Sequence, residues 1–186
     1  ISGYGADGPY RDKKAYDLLI QSEAGFVSIT GTPDEPSKAG PSIADIAAGM
    51  YAYTNILAAL LQRAQTGRGR HIDVSMLEAM GEWMGYPLYY AFDGAPPPPR
   101  TGASHASIYP YGPFVAGDGG TVMLGLQNER EWKAFCDGVL QRPEVAMDPR
   151  FCSNALRNQH RAELQALIVE SFASLAAAQV VDRMDQ

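Results

Sequence analysis

Cysteine and histidine are scarce in this chain of 186 residues, with two of the first and three of the second. Cys136 and Cys152 make no CxxC or other ligand spacing, and His71, His105 and His160 lie far apart with no HExxH. No metal centre is therefore expected. Two isolated cysteines suit a reducing, cytoplasmic compartment better than a disulfide-stapled exterior. There is no GxSxG elbow and no GxxxxGK[ST] loop. Positive charge is also short: 15 Lys and Arg against 21 Asp and Glu leave a net charge of -6. That argues against a nucleic-acid partner, which needs a basic face, while a phosphorylated small molecule needs only a few cations or a helix N-terminus. No apolar run reads as long enough to span a membrane, no signal peptide is seen, and no internal repeat emerges.

What is present is an ordinary globular balance, 46% hydrophobic and 19% charged, so a packed core is feasible. Residues 1–14 are glycine-rich and read as a loop. Residues 15–28 read as a short helix, and Gly31 to Gly40 as a second loop. Ile43, Ile46, Ala47, Met50, Tyr53, Leu57, Leu60 and Leu61 keep the three-and-four rhythm of a buried helical face. Thr66-Gly67-Arg68-Gly69 ends that helix. His71 to Ser75 alternates like a strand, and residues 76–91 return to helical spacing with Leu77, Met80, Met84 and Leu88 on one side. Asp93 through Pro99 cannot continue a helix and reads as a linker. Beyond it, residues 112–115 and 121–124 read as strands joined by Asp118-Gly119-Gly120. Asn128 caps a helix carrying Trp132, Phe135, Cys136 and Val139 on one face, and a last helical stretch begins near Asn158. The fold class is α/β. Ile1 and the unfinished helical pattern at residues 180–186 read as the ends of a middle piece of a longer protein.

Two features could carry chemistry. Asp45, in Pro41-Ser42-Ile43-Ala44-Asp45, opens the strongest helix. Spacing alone favours a capping box, with Ser42 as N-cap and Asp45 three residues on. The same position also favours an anionic carboxylate that could act as a nucleophile. The small-residue stretch from Thr101 to Ser107 is either a loop whose backbone N–H groups approach a ligand or the end of a flexible linker. Gly67-Arg68-Gly69-Arg70 could touch a phosphate, but a helix stop with solvated arginines is the favoured reading. Trp83 and Trp132 are expected in the core, and Tyr4, Tyr16 and Asp17 look like ordinary loop or helix residues.

Read in order, several segments resemble the class III CoA transferases (the CaiB/BaiF type), which include formyl-CoA:oxalate and carnitine CoA transferases. They are Ile1 to Pro9; Tyr16-Asp17 with Ala24-Gly25 and Thr30-Gly31; Ile43 to Met50; Leu60 to Gly69 leading into Ile72 to Leu77; Pro110-Tyr111-Gly112; Trp132; Phe135-Cys136; and Asp148 to Phe151. The ordered set covers nearly the whole chain. The resemblance implies that Asp45 is the nucleophile and that CoA passes through an aspartyl thioester. It implies that Gly3, Tyr4, Gly102, Ala103, Ser104 and His105 contact CoA or substrate. The loop match is loose, because Ser104 and His105 stand where some relatives have glycines. α-Methylacyl-CoA racemases resemble the chain too, but they place a histidine before the aspartate matching Asp17, and here that residue is Tyr16. Racemisation needs a paired acid and base, so transfer is the better reading.

Residues 81–86 and 100–105 look most like members acting on small dicarboxylates: succinate, mesaconate, itaconate, citramalate or glutarate. No permanently bound cofactor or metal is implied; a CoA thioester is the substrate. On this reading residues 1–92 belong to a large Rossmann-like domain. Residues 93–106 are a linker and active-site loop, and 107–186 a truncated small α/β domain. The parent is an interlocked homodimer without nucleic-acid or membrane partners. The isolated piece is inactive or one part of a larger assembly, and a non-catalytic binding module is the remaining alternative.

Overall fold

The structure is a computed structural model describing residues 1–185. It forms two compact units, Ile1–Gly102 and Ala103–Gln186.

The first unit is helical. Helix α1 (Asp17–Glu23) ends where Gly25 enters the left-handed region at φ 81, and a single turn, α2 (Phe26–Ile29), follows. The continuous helix expected over 15–28 is thus broken at a glycine, which takes the left-handed conformation without the Cβ clash other residues would meet. Helix α3 (Ile43–Thr66) runs 24 residues and stops at Gly67, again left-handed, whose N–H bonds Arg63 O. Helices α4 (Met76–Trp83) and α5 (Gly85–Tyr90) replace the single helix expected over 76–91. Ser75 caps α4, accepting from Glu78 N at 3.3 Å.

The stretch from His71 to Ser75 is not a strand. Only Ser2 pairs with it, through Ser2 N to Val74 O at 3.0 Å and Met76 N to Ser2 O at 2.9 Å. A strand needs a ladder, and one bridge is too few. The buried face of α3 is also different. Ala44, Ala47 and Ala48 are buried, packed in a cluster with Ile20, Val74, Ala79 and Met80, whereas Ile46, Met50, Tyr53, Leu57, Leu60 and Leu61 are exposed. Alanines let neighbouring helices approach closely, so the small residues face the packing and the large ones point away. Leu88 and Trp83 are exposed as well. From Ile46 to Gln62 no side chain is charged. By length and composition α3 could cross a membrane, contrary to the expectation that no segment could. A core helix passes the same test.

The second unit closes on itself. Strands β1 (Tyr111–Val115) and β2 (Thr121–Gly125) pair antiparallel, Pro113 opposite Met123. The turn places Gly119 at φ 81, with Ala116 N to Gly120 O at 2.8 Å. Phe114, Val122 and Leu124 point to the core and Met123 and Val115 away, the period of two that a one-faced sheet requires. Asn128 caps α6 (Glu129–Ala134), accepting from the N–H groups of Arg130 and Glu131. The helix continues as one wider π turn over Phe135–Val139. Trp132, Phe135, Cys136 and Val139 all lie in the core, with Phe151, Leu164, Ile168 and Phe172. Helices α7 (Asn154–Gln159), α8 (Arg161–Phe172) and α9 (Ala177–Met184) complete the unit. The helical region begins before Asn158 because Ser153 caps α7, accepting from Leu156 N at 3.4 Å. Arg157 is the one buried cation among the described residues: it bonds Tyr109 O, Phe151 O and both Glu129 oxygens, and lies over the Trp132 ring.

Candidate active site

Asp45 lies in the first turn of α3, exposed, with no hydrogen-bond or ion-pair partner among the described residues. The capping box expected of Ser42 and Asp45 is absent, since Ser42 makes no side-chain cap bond. The cap comes from another helix. Asp17 Oδ1 accepts from Ala44 N at 2.8 Å, and its Oδ2 accepts from Gln21 Nε2 at 2.6 Å. Gln21, fully buried, then accepts from Ala39 N through Oε1 at 2.9 Å. Two side chains one turn apart on α1 thus tie down both ends of residues 39–44. An orphan donor at the start of α3 is satisfied without Asp45, which leaves that carboxylate clear of any capping duty.

Pattern reading missed Asp17 and Gln21 because their partners are 27 and 18 positions away. The available signal was a polar pair at i and i+4 on a short helix, with Gln21 beside the apolar Ile20. Tyr16, directly before Asp17, is the exposed N-cap residue of α1.

Gly3 packs where a side chain cannot go: an added Cβ would overlap the Ala15 Cβ. Its carbonyl accepts from Leu77 N at 3.0 Å and from Ser75 Oγ at 3.3 Å. Tyr4 is half-buried, edge-on to Tyr10 at 5.5 Å, with Lys13 Nζ 5.1 Å from its ring centre. Gly102 N donates to Gly31 O at 2.8 Å, and Arg100 donates to Thr32 O and Pro33 O at 2.9 and 2.8 Å. The end of the proline stretch is therefore docked on its own unit. Gly31 itself is left-handed at φ 110, and a Cβ there would run into the backbone of Glu35–Ser37.

Ala103, Ser104 and His105 belong to the second unit. His105 N donates to Tyr111 O at 3.0 Å, and its Nδ1 accepts from Ser107 N and Ile108 N at 3.1 and 3.0 Å. Arg161 holds His105 O at 3.0 Å, and Asn154 and Asn158 both donate to Ser107 O. These bonds pin residues 105–107, against the flexible-linker reading for that end of the Thr101–Ser107 stretch. Gly102 and His105 already spend their N–H groups inside their own units. Ala103 and Ala106 N–H have no acceptor among the described residues.

The buried thiol does not compete. Burial pushes the Cys136 thiol up to about 12, so it stays protonated at neutral pH. The described residues include no group of three or more His, Cys, Asp or Glu side chains that could hold a metal ion. Arg68 and Arg70 are exposed past the end of α3.

The family model for CoA-transferase family III matches residues 1–186. A succinate–glutarate CoA-transferase of Agrobacterium fabrum is 36% identical over 170 residues, covering 90% of this chain and 42% of its own length. A succinyl-CoA:glutarate CoA-transferase of Mus musculus is 34% identical, covering 96% of this chain and 41% of its own length. Among solved structures, a CaiB/BaiF family protein from Brucella suis superposes with a TM-score of 0.79 at 33% identity, covering 99% of this chain and 48% of that one. The chain thus spans less than half the length of each of these relatives.

Proposed function

The chain belongs to CoA-transferase family III, and from that premise we propose that it carries the nucleophile of an enzyme moving coenzyme A from an acyl-CoA to a small dicarboxylic acid. The observation that carries this is Asp45: a carboxylate in the first turn of a long helix, exposed, unpartnered among the described residues, and relieved of the cap by Asp17. The relatives named for succinate and glutarate support a C4 or C5 dicarboxylate.

The steps balance without an external acid or base. The Asp45 carboxylate attacks the thioester carbonyl, CoA thiolate leaves, and a mixed anhydride forms. The thiolate attacks the Asp45 carbonyl and the donor acid leaves as its carboxylate, giving an aspartyl-CoA thioester. The acceptor carboxylate attacks that thioester and expels the thiolate, which then attacks the acceptor's carbonyl and frees Asp45. Only an acid side chain can itself carry CoA as a thioester, so neither serine nor histidine would substitute. Each tetrahedral intermediate needs N–H donors. By family resemblance, Gly3, Tyr4 and Gly102 in the first unit and Ala103, Ser104 and His105 in the second are proposed to contact CoA or substrate. The parent is proposed to act as a cytoplasmic homodimer, and the present piece to be inactive alone.

The test is transfer from succinyl-CoA to glutarate by the full-length parent. Asp45→Ala is expected to abolish it while leaving the fold intact by circular dichroism. Undiminished transfer by that variant would overturn the assignment.

A further inference from the structure

Asp17 and Gln21 do more than hold two helices together. Asp17 bonds the backbone of Ala44, the residue directly before Asp45, and Gln21 bonds Ala39 on the other side of the Pro41 turn. Ala44 is itself buried, and the first intrahelical bond of α3, Ile46 N to Ser42 O at 3.0 Å, brackets Asp45. The direction of the Asp45 side chain is therefore set by the backbone of residues 42–46, and that backbone is set by the Asp17–Gln21 pair.

The chain of bonds has a fixed polarity. Ala39 N–H can only donate, so Gln21 must turn Oε1 to it and Nε2 to Asp17. Ala44 N–H can only donate as well, so Asp17 must accept on both oxygens. Only a carboxylate accepts twice in this way.

We propose that Asp17, relayed through Gln21, is a positioning residue for the Asp45 nucleophile, fixing the angle at which its carboxylate meets the thioester. The inference rests on Asp45 being that nucleophile. Misplacing a reacting group by about 1 Å can cost on the order of 10²-fold in rate.

The experiment uses the full-length parent and Asp17→Asn. An asparagine still accepts from Ala44 N, but its amide then faces the amide of Gln21, donor against donor. Trapped aspartyl-CoA, measured by rapid quench with succinyl-CoA, is expected to form about 10- to 100-fold more slowly, with KM for succinyl-CoA within about twofold of the parent's. The double variant Asp17→Asn/Gln21→Glu restores every donor–acceptor match. Its new carboxylate accepts both from the introduced asparagine amide and from Ala39 N, and most of the rate is expected to return. Wild-type rates in Asp17→Asn at unchanged melting temperature would overturn the proposal. So would a rate loss explained fully by unfolding, or one that the double variant fails to rescue although it folds. Asp45→Asn run in parallel separates the two levels: adduct formation surviving in that variant refutes the nucleophile itself, whereas its loss alongside a normal Asp17→Asn refutes only the positioning role.

Discussion

The two units of this chain are built to different standards of closure. Residues 103–185 bury Phe114, Trp132, Phe135, Phe151, Phe172, Leu164 and Ile168 around one centre, and their buried cation, Arg157, is held by Tyr109 O, Phe151 O and Glu129 and lies over Trp132. Residues 1–102 bury an alanine-rich patch and leave the large side chains of the longest helix bare. Fully burying one such side chain stabilises by roughly 1.5–3 kcal/mol. Covering Ile46, Met50, Tyr53, Leu57, Leu60 and Leu61 would therefore add on the order of 10 kcal/mol, as much as the whole stability of a typical domain. The unit that carries Asp45 is the one that leaves its large apolar side chains uncovered among the described residues. The chain's span, less than half of its relatives' length, is in keeping with that.

The comparison can be broken most forcefully from inside the second unit. Phe172→Ala is expected to destabilise it by about 3–5 kcal/mol, as cavity formation does in a closed core. Urea unfolding followed by Trp132 fluorescence, with Trp83 replaced by Phe, would show it. A loss under about 1 kcal/mol would mean that the core is not closed.

Acid should also divide the units. Arg150 holds the Asp148 carboxyl down at about 2, and Arg157 lowers that of Glu129. Groups depressed in the folded state add stability above their unfolded values, 3.8 and 4.5, and lose it as pH falls toward the folded ones. The second unit is therefore expected to weaken between about pH 4.5 and 2, by no more than about 1 kcal/mol per pair once solvent screening is counted. In the first unit Lys13 lowers Glu23 in the same sense at a surface site, so its acid response should be smaller. Thermal melts of the two units at pH 6 and pH 3 check the order.

The smallest effect is the most discriminating. Leu57→Gln and Leu61→Gln, on the bare face of α3, should change the stability of this chain by less than about 0.5 kcal/mol. In the full-length parent the same changes should cost a few kcal/mol, as buried leucines do. Equal small effects in both would show that nothing covers this face.

Local chemistry was legible in the sequence wherever a structural rule acts within one turn. Gly67 stops α3, Asp118-Gly119-Gly120 turns the hairpin, Asn128 caps α6, and Trp132, Phe135, Cys136 and Val139 share a buried face. What sequence periodicity could not supply was the identity of the partner. The rhythm of large residues on α3 marks an apolar face correctly, yet those residues stay exposed among the described ones. The alternation from His71 to Ser75 likewise meets only Ser2. At the site, Asp45 was visible from its place at a helix start and from family resemblance. Its supporting pair was not, because Asp17 and Gln21 act across loops on backbone groups that any residue would present.

The most direct measurement is mass spectrometry of the full-length parent quenched during turnover with succinyl-CoA. A covalent CoA adduct is expected on the peptide containing Asp45, released by hydroxylamine and absent in Asp45→Ala. An adduct on another residue, or turnover with no adduct at Asp45 under conditions that trap acyl-enzymes, would contradict it.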